Sequence, residues 1–117
     1  MPATFKDLCL DAVDDQALAN WWCTAMGYTL KLAATGDDAG QWTGAIADPA
    51  GAGPLIWINR VPEAKTIKNR MHLDVLGDTA ELISLGATLL RRRDAEIRWD
   101  ILADPEGNEF CVFAPEE

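Results

Sequence analysis

The chain has 117 residues, a formal net charge of −9 and 49% hydrophobic residues. This length suits one domain with its own core, and the negative charge argues against a nucleic-acid backbone or an anionic membrane surface as a partner. The sequence has neither an apolar run of the roughly 20 residues that cross a bilayer nor a signal-peptide pattern, so we expect a cytoplasmic protein.

The first 60 residues predict a strand, a helix and three further strands. Residues 8–12 (LCLDA) alternate apolar and polar side chains, as in a strand with one buried face. A helix follows, capped by Asp14 or Asp15 and ended by Gly27. Its apolar stripe, at helical spacing, consists of Leu18, Trp21, Trp22 and Ala25. Three strands are expected near 28–34, 41–48 and 54–60.

The second half of the chain predicts the same order of elements. Residues 71–75 (MHLDV) alternate as 8–12 do, which indicates another strand with one buried face. A helix begins at the capping box Asp78–Glu81 and ends at Gly86. Three strands are expected near 87–92, 97–103 and 108–114.

Three motifs occur in both halves in the same order. The pairs are LCLDA and MHLDV, GYTL and GATL, and ADPAG and ADPEG. The last pair is a turn motif, because Asp accepts bonds from the backbone ahead, Pro fixes φ and Gly tolerates a positive φ. Motifs repeated in a fixed order indicate a duplicated unit. We therefore predict an α+β fold of two βαβββ modules, at about 5–60 and 69–114, joined by a linker at 61–69.

Two longer segments, RVPEAKTIKNRMHLDV at 60–75 and DPEGNEFCVF at 104–113, resemble the glyoxalase-like domain that is common in actinobacterial proteins. This domain is part of the vicinal oxygen chelate superfamily, which includes glyoxalase I, extradiol dioxygenases and bleomycin resistance proteins. The resemblance implies a single domain over 1–117, with both modules paired into a curved mixed sheet around a pocket. It also implies a homodimer. The open edges of short strands independently favour a dimer, because a partner subunit can cover them.

The resemblance implies where a metal would bind, because metal-dependent members take ligands from the first and the last strand of each module. The matching residues here are Cys9, Trp57, His72 and Cys111. Of these, His72 alone is a usual ligand, since an indole N–H only donates and no carboxylate stands at these positions. We therefore expect no metal or other cofactor, with Zn²⁺ bound by Cys9, His72 and Cys111 as the alternative.

Polar residues of the strands are the candidates for chemistry. His72 is the only histidine, and Asp74 and Glu109 share its face by strand alternation, which makes the three a candidate acid–base set. The alternative is a histidine that merely lines a pocket. Trp57 and Trp99 offer flat apolar surface to a planar ligand, with sheet packing as the alternative. The predicted ligand-binding set is Cys9, Trp57, His72, Trp99, Glu109 and Cys111.

Two basic segments interrupt this acidic chain. We interpret RRR at 91–93 as a solvated turn between strands. We interpret KTIKNR at 65–70 as solvated charge, with a cationic rim for an anionic ligand as the alternative.

The expected function is that of a metal-independent small-molecule binding protein of glyoxalase and bleomycin-resistance type. Its ligand would be partly aromatic and would lie on the concave face of the sheet. The main alternative is an enzyme of the same superfamily, a lyase, isomerase or dioxygenase, that uses a divalent metal or the acid–base set. A further alternative is a structural or regulatory domain whose pocket is filled by side chains.

Overall fold

The computed structural model describes residues 2–115, and the chain divides between Glu63 and Ala64 into two compact units. Each unit contains one helix and one four-stranded sheet, in the order strand, helix, strand, strand, strand. The prediction of an α+β fold with two βαβββ modules is therefore confirmed. In the part of the chain that is described, no helix is long and apolar enough to cross a bilayer.

The elements of the first unit are β1 (Leu8–Ala12), α1 (Asp15–Met26), β2 (Thr29–Leu32), β3 (Trp42–Ala47) and β4 (Ile56–Arg60). The strands lie in the order β1-β4-β3-β2. β1 is parallel to β4, and the other neighbours are antiparallel. Parallel neighbours need a long crossover, which begins here with α1.

Helix α1 forms because both its ends are capped and one of its sides is apolar. The Asp14 carboxylate accepts a backbone N–H of the first turn at 3.1 Å, and Gly27 ends the helix with a φ of 71°. Leu18 and Trp22 are 1% and 2% exposed, and Trp21 packs edge-to-face on Trp22 with ring centroids 4.9 Å apart. The apolar stripe of α1 thus forms the core of the first unit with its sheet.

The elements of the second unit are β5 (Leu73–Leu76), α2 (Thr79–Ser84), β6 (Thr88–Arg91), β7 (Asp100–Ala103) and β8 (Glu109–Phe113). The strands lie in the order β5-β8-β7-β6. β5 is parallel to β8, and the other neighbours are antiparallel. The second sheet therefore repeats the connections of the first.

Helix α2 is short and is fixed to the sheet by both apolar and polar contacts. The Asp78 carboxylate accepts the backbone N–H of Glu81 at 3.1 Å, as the capping-box pattern predicts. Leu82 is buried and lies with Val112 around Gly77. The side of the sheet that carries Val112 is therefore the side that α2 covers.

Strand alternation gives the second sheet two faces. Asp100 and Val112 are register partners, and both lie on the side of α2. The next register pair, Ile101 and Cys111, points to the opposite side. We call this opposite side the open face, and the residues that it carries include His72, Asp74, Trp99, Ile101, Glu109, Cys111 and Phe113.

Each Asp-Pro motif forms the turn between the last two strands of its unit. The Asp48 carboxylate accepts three backbone N–H groups from the residues that follow it. The Asp104 carboxylate accepts two such N–H groups and also the side-chain amide of Asn108. Gly51 and Gly107 have φ angles of 73° and 88°, which favour glycine. The repeated motif therefore sets the same turn twice and places β4 and β8.

Candidate functional site

Three side chains with metal-ligand or acid–base chemistry meet on the open face of the second unit. Nδ1 of His72 lies 3.4 Å from Oδ1 of Asp74 and 3.9 Å from Sγ of Cys111. Each residue offers one possible ligand atom, which is a ring nitrogen, a carboxylate oxygen or the sulfur, and these three atoms all lie within 4.8 Å of one another. His72 and Asp74 are exposed, and Cys111 is buried beneath them. We call these three residues the triad.

The triad forms because β5 and β8 are parallel neighbours in a fixed register. Asp74 is the register partner of Cys111, so the two side chains leave the sheet side by side. His72 precedes Asp74 by two residues and therefore shares its face. The alternation of MHLDV predicted that His72 and Asp74 lie together, but the sequence did not place Cys111 opposite Asp74.

The Cys111 thiol is not arranged as an activated nucleophile. Burial raises its pKa, the Asp74 carboxylate raises it further, and Lys68 acts in the opposite direction. Asp74 and Cys111 both approach the same ring nitrogen of His72, whereas a nucleophile–base–carboxylate relay uses the two ring nitrogens separately. The triad is therefore better suited to binding a ligand or a cation than to covalent chemistry.

Glu109 lies on the open face and is held by the segment that precedes β5. Nζ of Lys65 lies 2.7 Å from Oε1 of Glu109, and the backbone N–H of Asn69 donates to the same oxygen at 3.2 Å. Burial opposes ionisation, but the Lys65 ammonium and the Asn69 N–H hold the pKa of Glu109 below its usual value. The Lys65 side chain is 20% exposed, so the interpretation of this lysine as solvated charge was wrong.

An aromatic pair stands on the same face as the triad. The ring centroids of Trp99 and Phe113 are 5.5 Å apart, with the rings tilted by 34°. Both residues are half-buried. Phe113 follows Cys111 by two residues on β8 and therefore shares its side of the sheet. The open face thus combines flat apolar surface with a polar triad.

Two predicted ligand-binding residues lie in the first unit. Cys9, which is exposed, and Trp57, which is half-buried, are register partners on β1 and β4. The indole N–H of Trp57 donates to Oδ2 of Asp7 at 3.0 Å, and Nζ of Lys6 lies 5.8 Å from the centre of the ring. The Lys6 ammonium and, to a smaller extent, the Trp57 indole N–H lower the pKa of Asp7. Trp57 therefore has a polar partner inside its own unit.

The strand registers change which residues correspond between the two modules. Trp57 and Cys111 occupy equivalent places, because each pairs with the residue three positions before its turn aspartate. Trp57 lies beside Cys9 on the first strand, whereas Cys111 lies beside Asp74. In the structure, Cys9 of the first module therefore corresponds to Asp74 of the second. The motif match of LCLDA with MHLDV had aligned Cys9 with His72, which lies two residues earlier. Motif similarity missed this because it does not encode the register of parallel strands.

A buried carboxylate that the sequence did not single out links β7 to two neighbouring segments. Asp100 is 3% exposed and accepts the Thr79 hydroxyl at 2.6 Å and the backbone N–H of Arg93 at 2.7 Å. The Arg93 guanidinium adds contacts at 3.1 and 3.2 Å. The Arg93 guanidinium and, to a smaller extent, the Thr79 hydroxyl hold the pKa of Asp100 well below its usual range. Burial acts in the opposite direction and raises this pKa. The RRR turn is thus anchored at Arg93 and is not simply solvated.

A groove in the first unit lies beside the loop between β2 and β3. Its lining residues are Ala33, Asp37, Asp38, Gln41, Trp42 and Thr43. The indole N–H of Trp42 donates to the backbone carbonyl of Ala45 at 3.0 Å, and both aspartates are exposed. The groove therefore offers two solvent-exposed carboxylates and an indole whose N–H already donates to the backbone. It is a weaker candidate than the open face.

Comparisons with known proteins agree with this architecture. A family model described as a glyoxalase-like domain matches residues 7–113. The fosfomycin resistance protein FosX from Listeria monocytogenes superimposes with a TM-score of 0.68 at 15% sequence identity, over 99% of this chain and 94% of that chain. A search of curated proteins finds no match.

Two further solved structures have the same fold. A glyoxalase/bleomycin resistance protein/dioxygenase family enzyme from Burkholderia phytofirmans PsJN has a TM-score of 0.66 at 17% identity, over 94% of this chain and 97% of that chain. TnmS3, an antibiotic binding protein from Streptomyces sp. CB03234, has a TM-score of 0.55 at 15% identity, over 99% of both chains. At such identities the likeness concerns the fold alone.

Proposed function

Because the chain belongs to the glyoxalase-like domain family, we propose that it is a small-molecule binding protein whose ligand lies on the open face of the second unit. The observation that carries this proposal is the presence of the triad and the Trp99–Phe113 pair on one face that α2 does not cover. Ligand sites combine apolar and aromatic surface with a few converging polar groups, and the open face has both. The actinobacterial type of the domain stays a prediction.

The chemistry of the open face favours a planar, partly aromatic ligand with one polar substituent. The Trp99 and Phe113 rings present apolar surface, and His72 and Asp74 present exposed hydrogen-bonding groups. Structural neighbours include an antibiotic binding protein and a fosfomycin resistance protein, which supports a small organic ligand over a macromolecule. The net charge of −9 also argues against a nucleic-acid backbone or an anionic membrane surface as the partner.

Replacement of Trp99 by alanine is expected to weaken binding of the aromatic probe 1-anilinonaphthalene-8-sulfonate about fivefold. An aromatic contact contributes about 1 kcal/mol beyond the area that it buries, and this equals about fivefold in the dissociation constant. Probe fluorescence titrations of wild type and variant measure the change. Trp21→Ala is the matched control, since Trp21 packs on Trp22 in the first unit. Equal weakening in both variants would contradict the proposed location.

A second candidate function is catalysis by a lyase, isomerase or dioxygenase that uses a divalent metal or the His72 and Asp74 pair. The closeness of the three triad atoms favours this candidate. Incubation with fosfomycin and Zn²⁺ or Mn²⁺, followed by removal of the metal and phosphorus NMR, tests whether the protein converts this compound with a metal. New phosphonate signals that disappear in His72→Ala would promote the enzyme. An unchanged spectrum keeps the binding protein as the proposal.

We also propose a homodimer, because β5 is an outer strand of its described sheet and carries exposed apolar side chains. Leu76 at the end of β5 is 73% exposed and Met71, two residues before β5, is 81% exposed, and apolar sheet edges of this kind need a cover. Light scattering at micromolar concentration is expected to give twice the chain mass of 12.8 kDa. Leu76→Lys is expected to shift the mass towards that of one chain. A wild-type mass of one chain would contradict the dimer.

A further inference from the structure

We infer that His72, Asp74 and Cys111 form a three-ligand site for a thiophilic divalent cation such as Zn²⁺, built within the second unit alone. The resemblance had implied ligands from both modules, with Cys9 in the zinc alternative. The register of β5 and β8 instead places Asp74 beside Cys111 and supplies the third ligand from the same two strands. The inference is independent of the proposed organic ligand, because a metal can be titrated without one.

The distances within the triad are close to those of a tetrahedral site. Zinc binds nitrogen, oxygen and sulfur at about 2.0 to 2.3 Å, so its tetrahedral ligands lie about 3.4 Å apart for nitrogen and oxygen and about 3.6 Å apart for nitrogen and sulfur. The corresponding distances here are 3.4 Å from His72 to Asp74 and 3.9 Å from His72 to Cys111. The third pair, a carboxylate oxygen of Asp74 and Sγ of Cys111, lies within 4.8 Å.

The charges of the three ligands suit a divalent cation. The Asp74 carboxylate and the Cys111 thiolate together balance two positive charges, and His72 contributes a neutral nitrogen. A thiol that binds the cation would lose its proton to the solvent as the metal–sulfur bond forms, because a coordinated thiol is deprotonated.

Ligand type and exposure define which cation fits and how it enters. Mg²⁺ and Ca²⁺ prefer all-oxygen sites, so a thiolate and an imidazole exclude them in favour of Zn²⁺ or Co²⁺. The side chains of His72 and Asp74 are 39% and 59% exposed, which leaves a path from solvent and a fourth position for water or a ligand atom. Cys111 closes the site from the sheet side.

Cobalt titration of the full-length, reduced protein tests the inference. Co²⁺ replaces Zn²⁺ in tetrahedral sites, and a bound thiolate gives a sulfur-to-cobalt charge-transfer band in the near ultraviolet. We expect this band in the wild type with one equivalent of Co²⁺, and we expect Zn²⁺ to abolish it by displacement. The band is expected to disappear in Cys111→Ser and to persist in Cys23→Ser and Cys9→Ser.

The exposed ligands provide variants that do not disturb the core. His72→Ala and Asp74→Asn are each expected to weaken Zn²⁺ binding at least about tenfold in competition with a chromophoric chelator, and circular dichroism checks that they remain folded. A wild type without the band, or a band that survives Cys111→Ser, would overturn the inference. Loss of the band in Cys9→Ser with retention in Asp74→Asn would restore the ligand set that includes Cys9.

Discussion

The Asp100→Ala variant is expected to unfold with a free energy about 2 kcal/mol lower than that of the wild type, since net contributions of hydrogen bonds to charged groups are of this size. The carboxylate is 3% exposed and accepts bonds from the Thr79 hydroxyl, the Arg93 backbone N–H and the Arg93 guanidinium. Its removal detaches the start of α2 and the loop before β7 from the strand that they flank. Urea unfolding at pH 7 measures the loss.

The stabilising effect of Asp100 should also depend on pH in a defined direction. The pKa of Asp100 lies well below its usual range in the folded protein, mainly because of Arg93. Its contribution is therefore complete above the ordinary aspartate pKa of about 4 and is lost as pH falls below it. The difference in unfolding free energy between wild type and Asp100→Asn should shrink from pH 7 to pH 3.

Asp37→Asn is the control for this comparison, since Asp37 is exposed in the loop between β2 and β3. It should leave both the unfolding free energy at pH 7 and its pH dependence close to those of the wild type. An Asp100→Asn difference that stays constant between pH 7 and pH 3 would show that the folded protein does not favour the charged form of Asp100.

The Asp104→Ala variant is expected to lose about 2 kcal/mol of unfolding free energy, because buried donors are left without their acceptor. The Asp104 carboxylate is 3% exposed and accepts two backbone N–H groups and the Asn108 amide. Asn108 is itself 8% exposed, so water does not readily replace the lost acceptor. Thermal and urea unfolding of the variant measure the effect.

The first copy of the motif supplies a matched control for Asp104. Asp48 accepts three backbone N–H groups, but the turn around it is largely exposed and water can replace the carboxylate. Asp48→Ala should therefore destabilise the protein less than Asp104→Ala. Equal losses would indicate that the two turns are equally solvated and that burial of the second motif has no energetic consequence.

The duplication could be predicted from sequence because local signals repeat along the chain. Asp14 and Asp78 cap the helices, Asp48 and Asp104 make the turns, and alternating side chains define the strands. Each of these signals depends on residues close in sequence, so the order of the elements follows from it directly. The two βαβββ modules were therefore predicted with nearly correct strand positions.

Contacts between distant segments could not be predicted in the same way. The partnership of Asp74 with Cys111 depends on the register of two parallel strands, and nothing in either strand alone determines it. The ion pairs of Lys65 with Glu109 and of Arg93 with Asp100 arise where loops pack on strands. Sequence alone had assigned both basic segments to solvent, because the carboxylate that pairs with each cation lies outside its segment.

The most direct test of the central claim is a nuclear magnetic resonance titration of the ¹⁵N-labelled protein with 1-anilinonaphthalene-8-sulfonate. Binding on the open face predicts saturable shifts of the Trp99 indole N–H and of amides at 109–113 and around His72, with small changes in α1. Shifts centred on residues 33–43, which border the groove of the first unit, or the absence of saturable shifts would contradict the claim that the open face is the ligand site.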